Sequence, residues 1–129
     1  MIERLTFRWR REVAEQEAAV AAGTLAREEA YALNSFPADF VTRVDAALTR
    51  YEQDLAALEP ANDAAAWAAV ERVVTALNAA DSGEIETVTR EELCEYIDDA
   101  LADAGVDVDA LTSRRGMDRS ELTDDWRDW

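Results

Sequence analysis

The least polar stretch of the chain, residues 63–80, predicts a helix buried at the centre of a bundle. After Asp63 its only charges are Glu71 and Arg72, and apolar side chains recur at steps of three and four residues with alanines between them. A helix that is apolar nearly all round is typical of a core element. It is about 26 Å long, which crosses a small domain but is too short and too interrupted to span a membrane.

A first helix is predicted over residues 2–22, because its apolar side chains step by three or four along the sequence. These positions are Ile2, Leu5, Trp9 and Val13. Apolar residues also alternate at the start of the segment, so a β-strand over residues 2–9 is the alternative interpretation. Gly23 ends the first helix, and a second, short helix is predicted over residues 25–33.

A third helix is predicted over residues 35–58, where apolar side chains alternate between steps of three and four. The positions are Val41, Val44, Leu48, Tyr51, Leu55 and Leu58. Such a seam is typical of a helix that packs against other helices of the same chain, as in a helical bundle. A seam between two copies of the chain has the same spacing, so a homo-oligomer through residues 41–58 is the alternative.

The sequence after residue 88 predicts a strongly amphipathic helix that ends at Gly105. Thr89 followed by Glu92 has the form of a capping box, with Thr89 as the N-cap. One face of this helix is apolar and contains Leu93, Ile97, Ala100, Leu101 and Ala104. The other face is acidic and contains Glu91, Glu92, Glu95, Asp98, Asp99 and Asp103.

Two short helices are predicted at the C-terminal end. The first is capped by Asp107 or Asp109 and ends at Gly116, and the next begins at Asp118 in a pattern that resembles a capping box. The second helix carries an apolar stripe of Leu122, Trp126 and Trp129. Because tryptophan carries a large apolar area, Trp126 and Trp129 are expected either to dock on the bundle or to form an exposed aromatic anchor for a partner.

Together these segments predict an all-α fold: a single-domain helical bundle over residues 1–129, with about four main helices and short C-terminal helices. The length suits one domain, and hydrophobic residues make up 49% of the chain, which is enough for one core. Four glycines and two prolines are too few for the many turns of an all-β protein.

The charged residues exclude several classes of function. The formal net charge is −16, all thirteen basic residues are arginine, and the chain has no histidine. Without histidine there is no Ser/His/Asp or Cys/His catalytic set and no His-ligated zinc site. Nucleic acids and anionic membranes are disfavoured as partners, because both bind clustered basic side chains.

The same composition bears on source and location. A large acidic excess is tolerated where high ionic strength screens repulsion, and arginine without lysine suits a GC-rich genome, so a halophilic or GC-rich prokaryotic source is expected. Cys94 is the only cysteine, which excludes an intrachain disulfide and fits a reducing cytoplasm. The first eleven residues, MIERLTFRWRR, carry charges from the third residue onward and lack the apolar region of a signal peptide. We therefore expect a cytoplasmic protein.

Acidic side chains are concentrated in residues 84–109, which hold ten acidic residues and one arginine. Concentrated negative charge steers association with basic partners. We therefore expect a non-enzymatic protein-binding module, such as an inhibitor or immunity-type factor that docks a basic protein. The candidate partner-binding residues are Glu91, Glu92, Glu95, Asp98, Asp99, Asp103, Trp126 and Trp129. The competing interpretation is that the charge only solvates the protein in high salt.

Some of these carboxylates also resemble a known enzyme pattern. Glu91-Glu92-x-x-Glu95 followed by Glu121-x-x-Asp124 is similar to the EExxE…ExxD pattern of all-α nucleotide pyrophosphohydrolases of the MazG type. The resemblance covers only these positions, and the chain lacks a lysine to meet a phosphate. It implies an alternative function, Mg²⁺-dependent nucleotide hydrolysis, with Glu92, Glu95 and Asp124 holding the ion.

A further alternative is a helix-turn-helix DNA-binding regulator. Residues 110–122 place Gly116 at a turn between two short helices, with Arg114, Arg115 and Arg119 around it. The helix after the turn carries several acidic side chains, which repel a phosphate backbone. A plain corner between two helices gives the same pattern.

Overall fold

The computed structural model describes residues 2–129, and every regular element within them is helical. These residues form the α-helices α1 (Leu5–Ala21), α2 (Tyr31–Ser35), α3 (Ala38–Ala56), α4 (Asp63–Ala80), α5 (Thr87–Asp103) and α6 (Val108–Ser113). Two 3₁₀-helical turns cover Arg27–Glu29 and Arg119–Glu121. The predicted all-α bundle is confirmed, and the alternative β-strand over residues 2–9 is wrong. Met1, the first residue of the predicted domain, lies outside the described residues.

An aromatic stack joins α1 to the segment that leads into α3. Trp9 is completely buried, and its ring centroid lies 4.5 Å from that of Phe36 and 6.0 Å from that of Phe40. Its indole nitrogen donates a hydrogen bond of 2.8 Å to Glu92 of α5. Phe7 is 47% exposed. Residues two apart share a face in a strand but lie on opposite sides of a helix, so this difference is the signature of the helix.

The apolar seam of α3 is buried inside the chain. The buried positions are Val41, Val44, Leu48, Tyr51 and Leu55. The Tyr51 hydroxyl donates a hydrogen bond of 2.8 Å to the carbonyl oxygen of Ile97 in α5, so the seam also ties two helices together. These five side chains therefore pack within the chain, as the spacing predicts for a helix of a bundle, and Leu58 at the end of the predicted seam is half-buried.

The helix predicted to be central, α4, packs along α3 but is not buried on every side. Its buried positions are Ala66, Trp67, Ala69, Val70, Val73, Val74, Leu77 and Ala80. The opposite side is exposed and includes Glu71, Arg72 and Ala76. The prediction of burial all round is therefore wrong, because alanine is compatible with either surface. No helix within residues 2–129 has both the length and the apolar character needed to cross a membrane.

The second helix predicted over residues 25–33 is replaced by two shorter pieces. The 3₁₀ turn ends before Ala30, whose backbone leaves the helical region at φ −82° and ψ 82°, and α2 begins at Tyr31. The backbone N–H of Ala32 donates a hydrogen bond of 2.8 Å to the side chain of Gln16 in α1. Packing of Ala30 and Ala32 against the core therefore overrides the local preference for one helix.

The two predicted capping boxes have different outcomes. The one at Thr89 is wrong, because α5 begins two residues earlier, at Thr87, and Thr89 is a buried residue inside the helix. The one at Asp118 is confirmed: the backbone N–H of Asp118 donates a hydrogen bond of 2.9 Å to the Glu121 side chain. The box opens a 3₁₀ turn rather than the longer helix that the sequence predicts.

The loop between α3 and α4 touches the loop that follows α5. Gly105 has a φ of +98°, a conformation that favours glycine, and it ends α5 as predicted. A Cβ atom at this position would lie 3.2 Å from Cγ of Pro60. The glycine is thus required both for the backbone conformation and for the close approach of the two loops.

Candidate functional site

The acidic residues of α5 divide into two groups according to what they contact. One group lies on the flanks of the helix and is held by arginines from other elements. The other group follows the solvent-facing side of the helix. The division separates carboxylates that are held by arginines of this chain from carboxylates that face solvent.

The flanking group consists of Glu92 and Asp98. Glu92 accepts hydrogen bonds from the Trp9 indole and lies 2.9 Å from a guanidinium nitrogen of Arg8, so it fastens α1 to α5. Asp98 accepts hydrogen bonds of 2.6 to 3.1 Å from Arg119, which also reaches Asp109 at 3.1 Å. These hydrogen bonds raise the pKa of the Arg119 guanidinium. Both predicted partner-binding residues are therefore engaged within the chain.

The solvent-facing group is spaced four residues apart along α5, and we call it the acidic stripe. It consists of Glu91, Glu95, Asp99 and Asp103, which are all exposed. Residues four apart lie on one side of a helix, so the stripe extends for about 18 Å. Among residues 2–129, Glu91, Glu95 and Asp99 have no ion-pair partner, which distinguishes them from Glu92 and Asp98.

A groove runs beside the acidic stripe, between α5 on one side and α1 and α3 on the other, and we call it the α5 groove. It consists of two depressions of about 160 and 150 Å³ that share Ile2 and Tyr96. The first is lined by Glu3, Leu5, Arg8, Glu92, Glu95 and Asp99 in addition to the shared pair. The second is lined by Glu52, Leu55, Ala56, Ala100, Asp103 and Ala104. The groove therefore combines a second depression with a largely apolar floor and an edge on α5 that carries acidic side chains.

Tyr96 divides the two depressions and is fixed by a polar contact at its tip. Its hydroxyl donates a hydrogen bond of 3.3 Å to Glu52, which in turn accepts one of 2.8 Å from Arg4. Burial of the ring, followed by the negative charge of Glu52, raises the pKa of the Tyr96 hydroxyl well above its ordinary value. The hydroxyl therefore remains a hydrogen-bond donor to Glu52 at physiological pH.

The two C-terminal tryptophans lie against the bundle. Trp129 is 8% exposed, and Trp126 is half-buried with its ring centroid 6.0 Å from that of Trp67 in α4. Asn78 of α4 holds this segment through two hydrogen bonds. Its side-chain amide donates one of 2.7 Å to the carbonyl oxygen of Trp126 and accepts one of 3.0 Å from the backbone N–H of Asp128. Of the two predicted alternatives, docking on the bundle is confirmed, and Trp129 does not provide an exposed anchor.

The carboxylates of the predicted magnesium site do not form a metal-binding cluster. In the part of the chain that the structure describes, no three carboxylate, histidine or cysteine side chains are placed to share a metal ion. Glu92 is engaged by Trp9 and Arg8, and Asp124 forms an ion pair of 3.0 Å with Arg127. The alternative site formed by Glu92, Glu95 and Asp124 is therefore wrong as a geometric prediction.

The segment predicted as a helix-turn-helix lacks a recognition helix. After Gly116 the chain forms only the short 3₁₀ turn and further turns. Arg114 forms two hydrogen bonds of 2.6 and 2.8 Å with Asp63, and the guanidinium of Arg115 lies 4.1 Å from the ring centroid of Trp67. With Arg119 held by Asp98, these three arginines fasten the C-terminal segment to the bundle.

The sequence alone gave no sign of the α5 groove, because Ile2 and Tyr96 are brought together only by the packing of α1 on α5. The four-residue spacing of the acidic stripe is visible in the sequence, but the sequence does not show which of these acids an arginine would hold.

No family model matches this chain, and no curated protein or solved structure is significantly similar to it.

Proposed function

We propose that this protein is a cytoplasmic protein-binding module that recognises a basic partner through the acidic face of residues 84–109, as an inhibitor or immunity-type factor does. One observation carries the proposal: Glu91, Glu95 and Asp99 are exposed and have no ion pair within residues 2–129, whereas their neighbours Glu92 and Asp98 do.

The electrostatics of the acidic stripe favour a protein partner. Carboxylates in a row along a rigid helix create a negative potential that attracts basic side chains and repels acidic ones. Because these carboxylates are exposed, pairing them with an arginine or lysine of a partner costs less desolvation free energy than pairing buried charges does. Such an interface depends strongly on ionic strength, since exposed charges are screened by salt.

The test is a pull-down with the tagged chain from lysate of the source organism, repeated with Glu91→Gln, Glu95→Gln and Asp99→Gln combined. We expect one stoichiometric basic protein with the unmodified chain and its loss with the triple variant. The matched control replaces three exposed acids elsewhere, Glu28, Glu29 and Glu71, by glutamine and changes the net charge equally.

The captured protein is then purified and its binding measured at increasing salt. Affinity that falls with salt and ignores Mg²⁺ supports the proposal. Capture that survives the triple variant, or is lost equally in the control variant, contradicts it, because then either other residues carry the interaction or only net charge matters.

A further inference from the structure

We propose that the α5 groove holds an amphipathic helical segment of the basic partner, with apolar side chains on the groove floor and basic side chains against the acidic stripe. The inference rests on the proposed function and adds to it the part of the partner that is recognised.

The floor of the groove is apolar in its second depression, whereas the first depression is lined mainly by charged side chains. Its second depression is lined by Leu55, Ala56, Ala100 and Ala104 together with Ile2 and the ring of Tyr96. Small alanine side chains leave the depression open, with a volume of about 150 Å³. An open apolar depression bordered by charged residues is typical of a surface that receives an apolar side chain.

The charges at the two edges of the groove differ in whether they are already paired. On the edge opposite α5, both acids are paired: Glu3 forms an ion pair of 2.6 Å with Arg11, and Glu52 accepts a hydrogen bond of 2.8 Å from Arg4. On the α5 edge, Glu95 and Asp99 have no ion pair within residues 2–129. A ligand in the groove therefore meets unpaired negative charge on one side only.

This asymmetry specifies the chemistry of the occupant. A segment that is basic all round would place arginine or lysine on an apolar floor, at a cost in desolvation. A wholly apolar segment would leave Glu95 and Asp99 without partners. A helix with one apolar side and one basic side satisfies both surfaces, as in other helix-in-groove interfaces.

The length of the groove sets the length of the segment. Its lining on α5 extends from Glu92 to Ala104, which corresponds to about 18 Å of helix axis. A partner helix of about 12 residues covers this distance and makes about three turns. Apolar anchors at positions i, i+3, i+4 and i+7 then face the floor.

The experiment uses two labelled synthetic peptides of about 12 residues and the full chain. Both contain the same arginines and leucines, but only one arranges the leucines along one helical side; the other is scrambled. Binding is measured by fluorescence anisotropy with the unmodified chain, with Ala56→Trp, which fills the exposed end of the groove, and with Ala76→Trp, the matched control on the exposed side of α4. Circular dichroism verifies that both variants are folded.

We expect the amphipathic peptide to bind the unmodified chain about tenfold or more tightly than the scrambled peptide, as burial of apolar side chains predicts. Ala56→Trp should remove this preference, and Ala76→Trp should keep it. A preference that survives Ala56→Trp overturns the inference, because the groove is then not the place where the leucines bind.

Equal binding of both peptides, weakened by Glu95→Gln and Asp99→Gln, also overturns the groove as the recognition site but supports the proposed function of the acidic stripe. Absence of binding by either peptide overturns the inference, and the pull-down then decides the proposed function independently.

Discussion

At the scale of single residues, arginine is the side chain that organises this protein. Arg4 joins Asp45 and Glu52, and Arg119 joins Asp98 and Asp109, so each draws together elements that are distant in sequence. A planar guanidinium presents several donors in a fixed geometry and can bridge two carboxylates in this way, which a lysine does less well. In a chain with more than twice as many acidic as basic residues, this pairing determines which carboxylates are engaged within the chain.

Trp9 is the residue whose truncation should be most costly. It is completely buried and stacks on Phe36, so Trp9→Ala should lower the free energy of unfolding by about 3–5 kcal/mol through loss of burial and creation of a cavity. Urea unfolding followed by circular dichroism measures the change. Phe7→Ala, on the exposed side of the same helix, is the control and should cost less than about 1 kcal/mol. Similar losses for both variants would mean that the aromatic stack does not stabilise α1.

The carboxylate of Asp45 should make the free energy of unfolding depend on pH at acidic pH. Burial raises its pKa, but the hydrogen bond from Thr6 and the charges of Arg4 and Arg10 outweigh this, so the net pKa lies below its ordinary value. A pKa that is lower in the folded state gives stability that is present above the unfolded pKa of about 3.9 and is lost as pH falls through the folded pKa.

Asp45→Asn should therefore be less stable than the unmodified chain at pH 7, and the difference should shrink as the pH falls below about 4. Urea midpoints measured from neutral to acid pH give the comparison. A difference that stays constant over this range would show that the Asp45 charge contributes nothing to folding.

At the scale of helices, the pattern of apolar residues correctly predicted the helices whose buried positions are the same as their periodic apolar positions. The seam of α3 alternates steps of three and four and is buried as expected. For α4 the pattern did not show which side is exposed, because alanines lie on that side and alanine occurs on both buried and exposed surfaces. The break at Ala30 and the start of α5 at Thr87 depend on contacts made in three dimensions, with Gln16 and with the core, which local sequence does not encode.

The candidate site was predictable to a similar extent. The acidic face of α5 follows directly from the spacing of its carboxylates. Its division into paired and unpaired residues depends on Arg8 and Arg119, which come from elements before and after α5 in the chain. The docking of the tryptophans depends likewise on Trp67 and Asn78 of α4.

The hydrogen bond between α3 and α5 gives a prediction at this scale. Tyr51→Phe removes the hydroxyl that donates to the Ile97 carbonyl oxygen and leaves the ring in place. We expect a loss of about 1–2 kcal/mol in the free energy of unfolding, since the acceptor is buried. Tyr31→Phe, at a ring that is 50% exposed, is the matched control and should change stability by less than about 0.5 kcal/mol. Equal effects would show that the bond between the helices is not stabilising.

At the scale of the whole molecule, net repulsion acts against the many local ion pairs. The net charge of −16 disfavours the compact state, and added salt screens this repulsion. We expect the melting temperature to rise by about 5 °C between about 0.02 and 0.5 M NaCl, which corresponds to about 1–2 kcal/mol for a domain of this size. Differential scanning calorimetry measures it. A melting temperature that falls over this range would mean that the ion pairs outweigh the repulsion.

The contact between Pro60 and Gly105 also affects how a lineage of this chain can change in length. Gly23 and Gly83 are exposed in turns where a Cβ atom would meet nothing within 4 Å, so these turns are the places where we expect insertions to be tolerated. The connection between α3 and α4 is different, because Pro60 is seated on Gly105 and an added residue would displace both loops. Descendants of a common ancestor should therefore vary in length near residues 23 and 83, while the two loops that contain Pro60 and Gly105 keep their own lengths.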